Sequence, residues 1–198
     1  MSTGTTQSVA RPGRPRDPSL DIAIRRATLD LLADVGYAAM SMEAVAAAAG
    51  VGKATLYRRW PSKEQLVVDA LATLAEPVEA PEGASAREQL VALLETQQRR
   101  AGSLTGRILP RLLSAAVENP ELLARYRDQV VEPRRARFRT ALQAAVAEGL
   151  VRADVDLDHA TDLLVGPVAY RHLLRTDPPV APDFPRRVVD DVLTGLRP

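Results

Sequence analysis

The stretch SMEAVAAAAGVGKATLYRRWPSKE, residues 41–64, decides how the chain is to be read. Ser41 is a helix-capping residue in front of an alanine-rich run to Ala49. Gly50-Val51-Gly52 then leaves room only for a sharp corner, and Lys53 to Trp60 resumes as a helix until Pro61 stops it. A short helix, a glycine-containing turn and a second short helix form the helix-turn-helix pattern, whose second helix lies in the major groove of DNA. On that second helix Leu56 and Trp60 stand four apart and face a core. At about 100° per residue, Ala54, Thr55, Tyr57 and Arg58 then point outward or sideways. Those types suit DNA: a small residue permits close approach, hydroxyls reach phosphates, and Arg can bridge guanine O6 and N7. The same pair of helices also suits a plain corner in an all-helical protein, and spacing by itself leaves both readings open.

Helical signals continue on both sides. Upstream, Leu20, Ile24, Ala27, Leu31 and Val35 make an apolar stripe, with Asp17 and Pro18 as its start and Gly36 as its left-handed stop. Downstream, Ser62 and Gln65 form a capping box that opens a helix to about Ala75. Pro77, Pro81 and Gly83 break the chain. Ser85 and Glu88 open another helix, with Leu90, Leu93 and Leu94 on its apolar side, and Gly102-Ser103 separates it from one ending near Glu118. Asn119-Pro120-Glu121 begins a long helix to Glu148, kinked at Pro133 and closed by Gly149. The acidic stretch Asp154 to Asp158 leads into a helix ending near Arg175, and a last amphipathic helix reaches Gly195. No strand-like alternation competes. The prediction is an all-α chain: a basic arm at 1–16, a three-helix helix-turn-helix domain at 17–75, and a helical domain at 76–198.

Composition narrows the class. With 198 residues, 46% of them hydrophobic and 26% charged, the chain can bury a core and is not wholesale disordered. The absence of cysteine removes disulfides, thiolate metal sites and cysteine nucleophiles. No apolar run is long enough to span a membrane and the first sixteen residues lack a signal-peptide core, so the expected location is the cytoplasm, with no membrane partner. The net charge of +1 hides an asymmetry: residues 1–65 hold nine Lys/Arg against six Asp/Glu, and the remainder seventeen against nineteen. Arg11, Arg14 and Arg16 stand without any acid in the leading arm. Arginines alternating with Pro and Gly cannot form a helix, yet an extended basic strand fits a narrow minor groove, whose potential attracts Arg. A solvated tail is the other reading.

Residues 41–64, and above all AGVGKATLYRRWPSKEQL at 49–66, closely resemble the DNA-binding signature of the tetracycline-repressor (TetR) family. The resemblance implies a ligand-responsive transcriptional regulator, usually a repressor, binding a palindromic operator on double-stranded DNA as a homodimer and released by a small-molecule effector, with residues 76–198 as its ligand-binding and dimerisation domain. It implies phosphate contacts from Thr55, Tyr57 and Lys63 and approach to bases by Lys53, Ala54 and Arg58, with Ser41 in the same DNA-binding set. Two positions depart from the family pattern. Gly52 stands where a Ser often caps the recognition helix, and Trp60 replaces the commoner Phe. The competing reading is a helical small-molecule or protein-binding module without operator function.

Enzyme chemistry finds little support. His159 and His172 lack a metal-binding spacing, and Asp154, Asp156 and Asp158 mimic a calcium loop whose required Gly and Glu are His159 and Val165. A helix-capping role for Asp156 or Asp158 accounts better for them, and the expectation is no enzyme, no metal and no cofactor. Ile108, Leu112, Leu123 and Val168, with Tyr126 and His172 as polar handles, are the candidate ligand pocket. The segments 157–175 and 184–196 are the expected dimer interface, because Val188, Val189, Val192, Leu193 and Leu196 give the last helix a wide apolar face.

Overall fold

The computed structural model describes residues 18–74, 78, 80–174 and 180–198. Its helices are α1 (Pro18–Asp34), α2 (Gly36–Ala39), α3 (Met42–Ala48), α4 (Lys53–Arg59), α5 (Lys63–Ala72), α6 (Ala86–Ala101), α7 (Leu104–Glu118), α8 (Pro120–Tyr126), α9 (Glu132–Ala147), α10 (Leu157–Leu174) and α11 (Phe184–Gly195). No strand occurs among the described residues.

Local chemistry sets most of the boundaries. Ser41 Oγ accepts from the Ala44 amide at 3.1 Å and Ser62 Oγ from the Gln65 amide at 3.2 Å, each satisfying an orphan donor at a helix start. Ser85 and Glu88 make the reciprocal capping box. Asn119 Oδ1 accepts from Leu122, and Asp156 Oδ1 accepts from Asp158 and His159, so the acidic stretch caps α10. Gly36 sits at φ +79°, the left-handed conformation that ends α1 and turns the chain into α2, a helix of one turn with no periodic signature.

Two expectations change. The buried face of α1 is Ile24, Thr28, Leu29, Leu32 and Ala33, whereas Leu20, Ala27 and Leu31 are half-buried and Val35 is exposed. Thr28 belongs inside because its hydroxyl donates to the Ile24 carbonyl at 2.8 Å, leaving a methyl to pack. The long helix from Asn119 to Glu148 is in fact α8, a π-helical segment at Arg127–Val131, and α9. Pro133 has no amide to offer Gln129, and the ladder passes through a wider turn in which Glu132 N–H donates to the Arg127 carbonyl.

Apolar side chains gather in two cores that do not follow chain order. The first joins α1, α3, α4 and α5 to Ile108 and Leu112 of α7, Leu122 and Tyr126 of α8 and Val130. The second holds α6, α9, α10 and α11. Polar contacts reinforce the seam: Arg111 donates to the Ala33 carbonyl at the end of α1, Tyr37 donates to Glu64, and Asn119 Nδ2 donates to Tyr37 Oη and Glu64 Oε1 at 3.3 and 3.2 Å. Burial raises the Tyr37 hydroxyl pKa, with the Glu64 charge adding to it, and the Tyr37 hydrogen bond holds the Glu64 carboxyl below its ordinary range.

The final helix corrects the dimer argument. Val188, Val189, Leu193 and Leu196 are all buried in the chain's own second core and Val192 packs against it, so the face taken from sequence as unpartnered already has a partner.

Candidate nucleic-acid interface and ligand cavity

α3 and α4 meet through the turn Ala49–Gly52, where Gly50 adopts φ +66° and the Val51 amide returns to the Ala46 carbonyl. Gly52 caps α4 through backbone geometry, with no side-chain bond, so the hydroxyl of the commoner Ser is absent at that end. Leu56 is fully buried and Trp60 nearly so, which fixes the roll of α4. Trp60 Nε1 and Arg25 Nε both donate to Asp69 Oδ2, at 2.8 and 2.9 Å, and Arg25 lies 5.7 Å from the Trp60 ring centre. The side chain of Arg59 is buried and paired with Asp21 of α1. Together these contacts tie α4 to α1 and α5 from its inner side.

What remains faces solvent: Ser41, Lys53, Ala54, Tyr57 and Arg58 are exposed and Thr55 is half-buried. Sequence reasoning missed Glu43, which stands across the turn with Lys53 Nζ 3.7 Å and Tyr57 Oη 3.4 Å away. Its carboxyl is held below the usual range by its own amide at the start of α3, and by Lys53 and Tyr57. An acidic residue at the first helical turn was visible in the sequence, but its partners lie on the next helix and only the fold brings them together. Lys63 is half-buried, with Nζ 4.1 Å from the Tyr37 ring centre, and burial lowers its pKa. Arg11, Arg14 and Arg16 lie outside the described residues.

A second site lies between α6, α7, α9 and α10, beside the π segment: a cavity of about 300 Å³. Tyr126, Val168 and His172 line it as the sequence suggested. Ile108, Leu112 and Leu123 do not. Ile108 and Leu112 are filled into the first core against the helix-turn-helix unit, and Leu123 is exposed on α8. α7 carries two apolar faces, and it turns the neighbouring Leu109 and Leu113 toward the cavity instead. Gln97, Arg100, Thr105, Arg134 and Arg135, outside the predicted set, supply the rest of its polar side chains.

Taken together, the inward-locked, outward-polar second helix and the helical body behind it define a helix-turn-helix DNA-binding regulator. A family model described as "Bacterial regulatory proteins, tetR family" matches residues 24–70, and "Tetracyclin repressor-like, C-terminal domain" matches residues 80–192. The chain belongs to the TetR family of transcriptional regulators. It is 30% identical over 189 residues to the HTH-type transcriptional regulator YdeS of Bacillus subtilis, covering 95% of both chains. It is 31% identical to the DNA-binding transcriptional repressor TetR of Mycobacteroides abscessus, covering 91% of this chain and 95% of that one. Among solved structures, the TetR family transcription regulator SCO0332 is 33% identical and superposes with a TM-score of 0.71 over 91% of this chain and all of the other. No helix among the described residues is long and apolar enough to cross a membrane.

Proposed function

We propose that the protein is a cytoplasmic repressor that binds a palindromic operator as a homodimer and is released when a small molecule fills the cavity between α6, α7, α9 and α10. The observation that carries the operator reading is the split of α4: Leu56, Arg59 and Trp60 are engaged inward while Lys53, Ala54, Tyr57 and Arg58 face solvent. Residues 17–75 supply the DNA-binding domain and 76–198 the effector and dimer functions. Thr55, Tyr57 and Lys63 contact phosphates, Lys53, Ala54 and Arg58 approach bases, and Ser41 contributes at the start of α3. Arg11, Arg14 and Arg16 enter the flanking minor groove.

Dimerisation uses α10, flanked by α11. Leu163, Tyr170 and Leu174 are large apolar residues left exposed on one face of α10, seven and four positions apart. An effector that favours a dimer with the wrong recognition-helix spacing weakens binding by its differential affinity for the two states, typically about 5- to 150-fold.

Selection of duplexes from a random pool, followed by footprinting across a salt series, tests this reading. An inverted repeat protected on both half-sites, with affinity falling about 10³- to 10⁵-fold between about 50 and 200 mM salt, is the expected result. A single unrepeated site, or binding indifferent to salt, overturns it. Deleting residues 1–16 is expected to weaken sites with A/T-rich flanks more than those with G/C-rich flanks.

A further inference from the structure

The chemistry of the cavity wall goes further, on the reading that this cavity is the effector site. Most of the wall is apolar, with Leu109, Leu113 and Phe138 among its residues, and its charged residues are all arginines; among the described residues no Asp or Glu lines it. The three arginines differ. Arg135 has its charge matched outside the cavity by Asp158 and Asp162 of α10. Arg134 shares a hydrogen bond with Tyr126, whose hydroxyl pKa is raised by burial and drawn back by that guanidinium. Arg100 is only 7% exposed on the same wall.

His172 adds a polar side chain: it lines the cavity, and its Nε2 is buried without a hydrogen-bond partner among the described residues, a state that native interiors rarely leave unfilled. The ring is held by a close approach of α7: a Cβ on Gly106 would lie 2.7 Å from His172 Cε1. A carboxylate oxygen of a ligand seated against this wall would meet the imidazole and face the two guanidinium groups in a medium where charge attraction is much stronger than in water.

These features decide among ligand classes. A cation meets like charge, and a sugar or polyol would set most of its hydroxyls against apolar surface. We propose that the cavity binds an apolar molecule carrying one carboxylate, its body against α7 and α9 and its head group held by Arg100, Arg134 and His172. The volume is at the small end of ligand cavities, which span about 300–1,000 Å³. A medium-chain fatty acid and an arylalkanoic acid share this chemistry.

Titration calorimetry with octanoate and 3-phenylpropionate, each against the alcohol and the amine of equal length, separates the classes and the two sources. The acids are expected to bind the full-length protein at least about 10-fold tighter than the alcohols, with the amines weakest. Arg134→Gln and His172→Phe should each bring the acid-to-alcohol ratio toward one while leaving alcohol binding in place, and Arg134→Lys should keep part of the preference. Equal binding of acid and alcohol by the wild type, or no binding of any probe, overturns the proposal without depending on a variant's folding. Operator release is read in parallel by gel shift. An acid that binds with the expected preference yet leaves the operator complex intact upholds the ligand class and overturns the effector reading. Alcohols that bind and release as well as the acids do the reverse.

Discussion

Arg58 and Lys63 are both cations on the α4–α5 side of the helix-turn-helix unit, and their surroundings separate their roles. Arg58 is exposed on the outer face of α4, whereas Lys63 lies half-buried over the Tyr37 ring at the start of α5. Arg58→Ala is therefore expected to reorder base preference and to cost about 1–3 kcal/mol on the selected operator. Lys63→Ala should weaken all sequences alike and reduce the salt slope by about one per site. Footprints on operators altered base by base distinguish them, and an unchanged preference order in Arg58→Ala would remove that residue from base reading. Glu64 makes a prediction of a different kind. Its carboxyl pKa is depressed below the ordinary 4.5 by the Tyr37 hydroxyl, so its contribution to stability is complete above that value and is lost as pH falls through the lower folded-state pKa. The melting-temperature gap between wild type and Glu64→Gln should be widest near neutral pH and shrink between about pH 5 and pH 3. A gap that grows on acidification would contradict the depressed pKa. At this scale residue type and spacing were legible for Leu56, Trp60 and the exposed set on α4. The contacts of Asp69, Glu43 and the Asn119 Nδ2 were not, because each acts through partners on other helices, which no local pattern encodes.

Helix existence was written in the caps, and helix faces were not. Ser41, Ser62, Ser85, Asn119 and Asp156 each announce a start with a side-chain acceptor at a fixed offset. Hydrophobic counting failed on α1 because Thr28, scored as polar, buries itself by back-bonding; Thr96 and Thr161 do the same to the Ala92 and Leu157 carbonyls. It also chose the wrong side of α7, where two apolar faces leave periodicity without a unique answer. The π segment before Pro133 is the least legible element, since a proline signals interruption and not whether a kink or a wider turn absorbs it. Its consequence is testable. Val131, the last residue of that segment, lines the cavity, and residue 133 as alanine would restore the donor for Gln129. Pro133→Ala is expected to leave the melting temperature equal or higher while weakening carboxylate binding, as the backbone relaxes toward an α-helix and Val131 rotates off the wall. Unchanged ligand affinity would show that the segment does not shape the cavity.

Across the whole molecule, the first core binds α7 and α8 to the helix-turn-helix unit, so cavity and recognition helix are joined through packed side chains. Coupling between two such sites needs a second copy of the chain to act on spacing, because a single recognition helix has no spacing to change. The interface must then come from apolar surface that the chain does not consume itself. α11 fails that condition, since Val188, Val189 and Leu193 are core; α10 meets it with Leu163, Tyr170 and Leu174. The double substitution Leu163→Asp with Tyr170→Asp is expected to yield a folded monomer that retains its helical circular dichroism, sediments at half the mass and no longer protects the palindrome. Leu193→Asp, by contrast, places a charge in the second core and should lower stability by several kcal/mol, on the order of other unpaired buried charges, without specifically dissociating a folded dimer. The two variants together separate loss of interface from loss of fold. If the α10 double variant still sediments as a dimer, the two-fold axis lies on another face. The recognition helices, which two half-sites one DNA turn apart require at about 34–36 Å, would then have to be brought to that distance from there.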